Sequence, residues 1–221
     1  MEVVTSVQTG VEIQLGLFDS MADLLRISPL FLLGTIPILI LLFLIFRRDS
    51  SIPKVKTTVF SLMMYYYLCV LLINIVGMPT VREFVRISQR GESIFNPNIN
   101  LIPLSDGVSL SFILNIFLFI PMGFLCPFIS KTFGTLRTTV LIGVVFSLLV
   151  EIIQMFTLYR ATDINDLLTN VIGTMIGYLC FRLVAKIRIV KMSPESQAGN
   201  DYTKYIPAVN IATAVILGFF S

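Results

Sequence analysis

Histidine and tryptophan are absent from the 221-residue chain, charged residues make up only 13% of it, and cysteine occurs three times. The missing histidine removes the side chain whose unperturbed pKa lies nearest neutrality and the commonest nitrogen ligand of zinc. Cys69, Cys126 and Cys180 each lie within an apolar run, far apart and without a CxxC pair. They read as small packing residues, and a zinc site of the Cys/His kind is excluded. A metal would have to be a hard cation held by oxygens, and neither metal nor cofactor is expected. A cationic leader is missing as well: the first 28 residues carry Glu2, Glu12, Asp19 and Asp23. No cleavable signal peptide is therefore read, and the first apolar run is expected to be a true anchor. The net charge of +3 is ordinary and points to no nucleic-acid partner.

What is present is overwhelmingly apolar. Hydrophobic residues form 56% of the chain and mean hydropathy is +0.90, the composition of an all-α, polytopic helical membrane protein. Runs approaching the ~20 residues that cross ~30 Å of hydrocarbon lie at 29–46, 57–78, 109–129, 138–158, 164–185 and 205–221. These give about six transmembrane helices. The last is only about 17 residues long and carries Asn210 and Thr213, so it either crosses with a tilt or lies in the interface. The chain divides into 1–56, an external segment with a first span and a basic loop; 57–185, a core of four spans; and 186–221, a second basic loop and a last span.

Lysine and arginine favour the cytoplasmic side of short loops. Eleven of them follow spans one, three and five: Arg47, Arg48, Lys54, Lys56, Lys131, Arg137, Arg182, Lys186, Arg188, Lys191 and Lys204. The opposite face holds five, Arg26, Arg82, Arg86, Arg90 and Arg160. Both termini are therefore expected outside, with the turn at Arg160 facing outward. The loop at 79–108 contains Gly91, Pro97 and Pro103 and cannot be helical throughout. Residues 96–104 read as an ordered turn docked on the bundle, serving either as a connector or as a lid over an outward cavity. No internal repeat supports an inverted-repeat transporter.

Polar chemistry concentrates between Glu151 and Gly177. A charge at the bilayer centre costs roughly 2.5–3.5 kcal/mol on insertion scales, so carboxylates here are functional candidates by default. Asp163, Asp166, Asn170, Gly173 and Gly177 fall on one helical face, and the two glycines form a GxxxG pair that lets another backbone approach. Helix capping is the plainer reading of Asp163 and Asp166, but it does not extend to Asn170. At a rise of ~1.5 Å per residue, Glu151 is expected about 12 Å below the outer end of span four, and Asn115 and Asn170 about 10 Å deep. Three polar side chains on three spans would then share one level, with Gln154 a turn outward of Glu151. Arg160 is too far along the chain to reach Glu151 and is assigned to Asp163 and Asp166. A buried Glu151 is then expected to be neutral or hydrogen-bonded by Asn115 and Asn170, its plainer role being polar glue between helices. Pro121 and Gly123 in span three read as packing residues beside a proline kink.

The ordered series Asn100-Leu101-Ile102-Pro103, Asn115 with Phe119-Ile120-Pro121-Met122-Gly123, Glu151-Ile152-Ile153-Gln154, and Ala161-Thr162-Asp163-Ile164-Asn165-Asp166 with Asn170 and Gly173 resembles the VanZ family over roughly residues 57–185. The resemblance implies a small integral protein of the bacterial cytoplasmic membrane. The family's name-giving member confers low-level resistance to teicoplanin, a lipid-tailed glycopeptide, without altering the peptidoglycan precursor. Carried over onto this chain, the family-typical polar positions are Asn115, Glu151, Gln154, Arg160, Asp163, Asp166 and Asn170. The chain departs from the family by its additional span at 29–46. The leading expectation is a non-enzymatic protein of the outer leaflet whose partners are membrane lipids and a lipid-linked cell-wall precursor or lipoglycopeptide. Two alternatives stand beside it. One is an intramembrane enzyme using Glu151, Asp163 and Asp166, with Mg²⁺ on Asp163, Asp166 and Asn170 as a variant. The other is a lipid transporter in which Glu151 is protonatable.

Overall fold

The computed structural model describes residues 25, 29–93, 95, 99–100, 110–157, 162–186 and 201–221. Six helices in it are long and apolar enough to cross a membrane. They are α1 (Leu30–Arg48), α2 (Lys54–Cys69, extended by a π-helical turn Val70–Ile75), α4 (Leu110–Ile129), α5 (Leu136–Gln154), α6 (Ile164–Lys186) and α7 (Ile206–Phe220, preceded by a 3-10 turn Tyr202–Tyr205 that completes the span). The all-α, six-span architecture expected from the apolar runs is therefore the one found, and the chain is a multi-pass membrane protein. The seventh helix, α3 (Val81–Gln89), lies in the 79–108 loop, which was expected not to be helical throughout. It is nine residues long, too short to cross a membrane. Its start is fixed by Thr80, whose Oγ1 accepts from the Glu83 amide at 3.3 Å, and its end by Gly91 at φ +71°.

α4 and α6 run side by side in the same direction, and small residues set their separation. A Cβ on Gly173 would stand 2.2 Å from the Ile116 carbonyl oxygen, and one on Gly177 2.0 Å from that of Ile120. α4 returns the arrangement through Gly123, where a Cβ would meet the Thr174 carbonyl at 1.9 Å. With no hydrophobic drive between helices in lipid, such backbone contact is what holds them together. α5 closes on the other side of α6, where a Cβ on Gly143 would meet Thr174 Oγ1 at 2.6 Å. α6 is thus a wedge between α4 and α5.

The last span is packed into the bundle. α7 packs against α1 and α2. Its Asn210 is wholly buried and donates through Nδ2 to the Ser61 carbonyl at 2.9 Å. At the entry of α7, Asp201 binds the end of α4 through Ser130 Oγ (2.6 Å), the Thr132 amide (3.2 Å) and Thr132 Oγ1 (2.9 Å). At the opposite end of the bundle a two-residue parallel pair joins β1 (Ile99–Asn100) to β2 (Thr162–Asp163). This places part of the long loop over the start of α6, and Phe95 packs on Phe156 at 5.5 Å beside it.

Candidate functional site

The polar residues meet where α4 begins, α5 ends and α6 begins. α5 and α6 run antiparallel, and each step of four back along α5 is matched by a step of four forward along α6. Glu151 faces Asp166, Ser147 faces Asn170 and Gly143 faces Thr174. On a period of 3.6 residues such a repeat keeps one stripe of each helix in register for two turns. The result is a ladder of polar rungs sealed between helices. Ser147 is fully buried, and Glu151, Gln154 and Asn170 are 4%, 6% and 4% exposed.

The partners differ from those expected. Asn115 Nδ2 donates to Asp166 Oδ1 at 2.6 Å, and Asn170 Nδ2 donates to Ser147 Oγ at 2.9 Å. Neither amide bonds Glu151, as the second of the two alternatives for that carboxyl required, and the two do not share one level. They belong instead to successive rungs, because Asn115 on α4 meets α6 a turn nearer its start than Asn170. The Glu151 carboxyl lies against the Asp163 backbone amide and within electrostatic reach of Asp166 and Asp163. Asp163 Oδ1 accepts from the Asn165 amide at 2.9 Å, which is the capping role weighed for it above. Gln154 Oε1 is buried and finds no donor among the described residues. Arg160 lies outside the described residues, as do Asn96-Pro97-Asn98 and Leu101-Ile102-Pro103-Leu104.

Asp163 Oδ1, Asp166 Oδ1 and Asn170 Nδ2 each have a different hydrogen-bond partner, the Asn165 amide, Asn115 and Ser147. Among the described residues no group of three acidic or cysteine side chains is placed to hold a metal ion. Ser147 was missed from the sequence because a serine inside an apolar run carries no charge. Its signal was positional: it stands one turn below Glu151 on the same face of α5.

Pro121 and Gly123 sit about two turns below Asn115 on α4. Pro121 has no amide to give the Phe117 carbonyl, and on the neighbouring carbonyl, Leu118, Tyr67 of α2 donates its hydroxyl at 2.8 Å. Beside this weak point an apolar groove of about 830 Å³ opens between α2 and α4. Its walls include Val59, Met63, Tyr66 and Tyr67 from α2, Val70 and Ile75 from the π-helical turn, and Phe117, Pro121 and Phe124 from α4.

An all-α membrane bundle with a buried polar ladder at one end defines the class. The chain belongs to the VanZ/LLP1 family, whose profile matches residues 63–185 and so contains the whole ladder. It is 36% identical over 98 residues to Protein VanZ of Enterococcus faecium, a stretch covering 42% of this chain and 60% of that protein. The chain thus spans less than two thirds of that relative's length. No solved structure matches the chain.

Proposed function

We propose that this protein acts at the extracytoplasmic leaflet, where it engages an amphiphile, a lipid-linked envelope component or a lipid-tailed glycopeptide, and lowers glycopeptide susceptibility. The excess of lysine and arginine after spans one, three and five supports an orientation with both termini and the polar ladder outward. The observation that carries the reading is the pairing of two unlike features on α4. Asn115 reaches the polar ladder, while Phe117 and Pro121, within two turns of it, line the apolar groove. An amphiphile has the same two-part character, and a volume near 830 Å³ lies within the range of ligand-sized sites. The engaged molecule presents its polar part to the α4–α5–α6 end and its tail to the α2–α4 groove. Affinity comes from burying the tail, and selectivity from the polar end.

The test uses Glu151→Gln and, separately, Met63→Trp, which fills the groove, with membrane insertion of each checked. We expect cells carrying either variant to lose protection against a lipid-tailed glycopeptide, while susceptibility to a tail-less one stays unchanged. Unaltered protection with both variants removes the site from the mechanism.

A further inference from the structure

The arginines of α3 are not used by the polar ladder, and they stand at the end of the bundle that holds it. Arg82 and Arg86 are exposed and one turn apart on the same flank, and Arg90 continues the row at the helix C-cap. Val81, Phe84 and Val85 occupy a different flank. Phe84 packs on Phe219 at the tip of α7 at 5.4 Å, and Ile87 is only 2% exposed. Val85 by contrast is 51% exposed. A short helix anchored by an aromatic at the end of a span, with an apolar residue left uncovered and a cationic row beside it, has the build of a segment lying in the membrane surface.

The cations are only partly neutralised. Glu83 stands 3.5 Å from Arg86, and an exposed pair of this kind contributes little. Arg82 has no carboxylate partner among the described residues. Together with Thr80 and Glu83, Arg82 and Arg86 border a recess of about 310 Å³. Two guanidinium forks one turn apart match the oxygens of a phosphodiester, and the guanidinium binds phosphate through paired donors.

We propose that α3 holds the phosphate groups of anionic phospholipids in the adjoining leaflet, with Arg82 and Arg86 as the contacts. The occupant is a phospholipid because the cationic recess shares its short helix with the uncovered apolar Val85, a pairing that suits a headgroup phosphate above an acyl layer. This anchors the α2–α4 loop to the membrane and makes the protein's local lipid shell anionic at that end.

The experiment places the full chain in nanodiscs with photoreactive phosphatidylglycerol or photoreactive phosphatidylcholine and locates the labelled peptide by mass spectrometry. We expect α3 to be labelled preferentially by phosphatidylglycerol. The yield should fall roughly fivefold for each arginine removed in Arg82→Gln and Arg82→Gln/Arg86→Gln, and more salt should weaken it. Arg82→Lys/Arg86→Lys, which keeps the charge but loses the paired donors, should label less than the wild type and more than the glutamine pair. Equal labelling by the two lipids, undiminished labelling of the glutamine pair, or displacement by inorganic phosphate overturns the proposal.

Discussion

Asn115 shows how much a single amide does when lipid surrounds a helix bundle. Its 2.6 Å bond to Asp166 ties the start of α4 to the start of α6 through side chains, where most of the surrounding span residues have only hydrocarbon to offer. Replacing it by leucine leaves Asp166 without that donor. We expect Asn115→Leu to destabilise the detergent-solubilised protein by about 1–3 kcal/mol, read as a lower midpoint of thermal aggregation. Asn115→Asp, which sets a second carboxyl against Asp166, should lower that midpoint at neutral pH and recover part of it in acid. At this scale the sequence was half legible. Its polar residues stand out because charge and amide are rare in apolar runs, so Glu151, Asp166 and Asn170 could be grouped. Who bonds to whom could not be read, since Asn115 and Asn170 were assigned by depth alone. A rise of ~1.5 Å per residue does not distinguish neighbouring turns when helix ends are uncertain by several residues.

Among the elements, α6 carries the most constraint because it touches α4 through glycine and α5 through polar side chains. A Cβ at 177 would stand 2.0 Å from the Ile120 oxygen, and an oxygen in a helix backbone cannot yield as a side-chain tip can. Gly177→Val should therefore push α6 from α4 and cost at least the 1–3 kcal/mol typical of overpacking. Gly91→Ala, by contrast, meets open space and is strained only by its positive φ. The measurement is the fraction of each variant recovered as a monodisperse species, with loss expected for Gly177→Val. The six spans were legible because their length and apolarity are set by the bilayer. α3 was not, since nine residues bearing Arg82, Glu83 and Arg86 give no apolar run. Its signature was the Thr80-to-Glu83 capping box.

For the whole molecule, Asp201 ties the entry of α7 to the end of α4. Burial alone would raise its pKa, but donors from Ser130, Thr203 and Thr132 outweigh that effect and hold the carboxyl below its usual range. A folded-state pKa below the unfolded value means that the unfolded chain binds the proton more readily. The contribution is therefore present above the unfolded pKa near 4 and is lost as pH falls through the lower folded value. Asp201→Asn should lower the thermal midpoint at neutral pH, and the gap from the wild type should narrow as the sample is acidified below pH ~4. A constant gap across that range would mean that Asp201 acts by packing alone.

The pairing of Ile99–Asn100 with Thr162–Asp163 also orders events in time. Parallel strands cannot be joined by a tight turn and require a crossover between them. Here the crossover is a membrane hairpin, α4 and α5, together with the segments that flank it. The pair can therefore close only after that hairpin has been inserted and α6 has begun to follow. During biosynthesis its formation marks the moment at which the polar end of the bundle becomes sealed, so a chain arrested before α6 would leave Glu151 exposed to whatever assists its insertion.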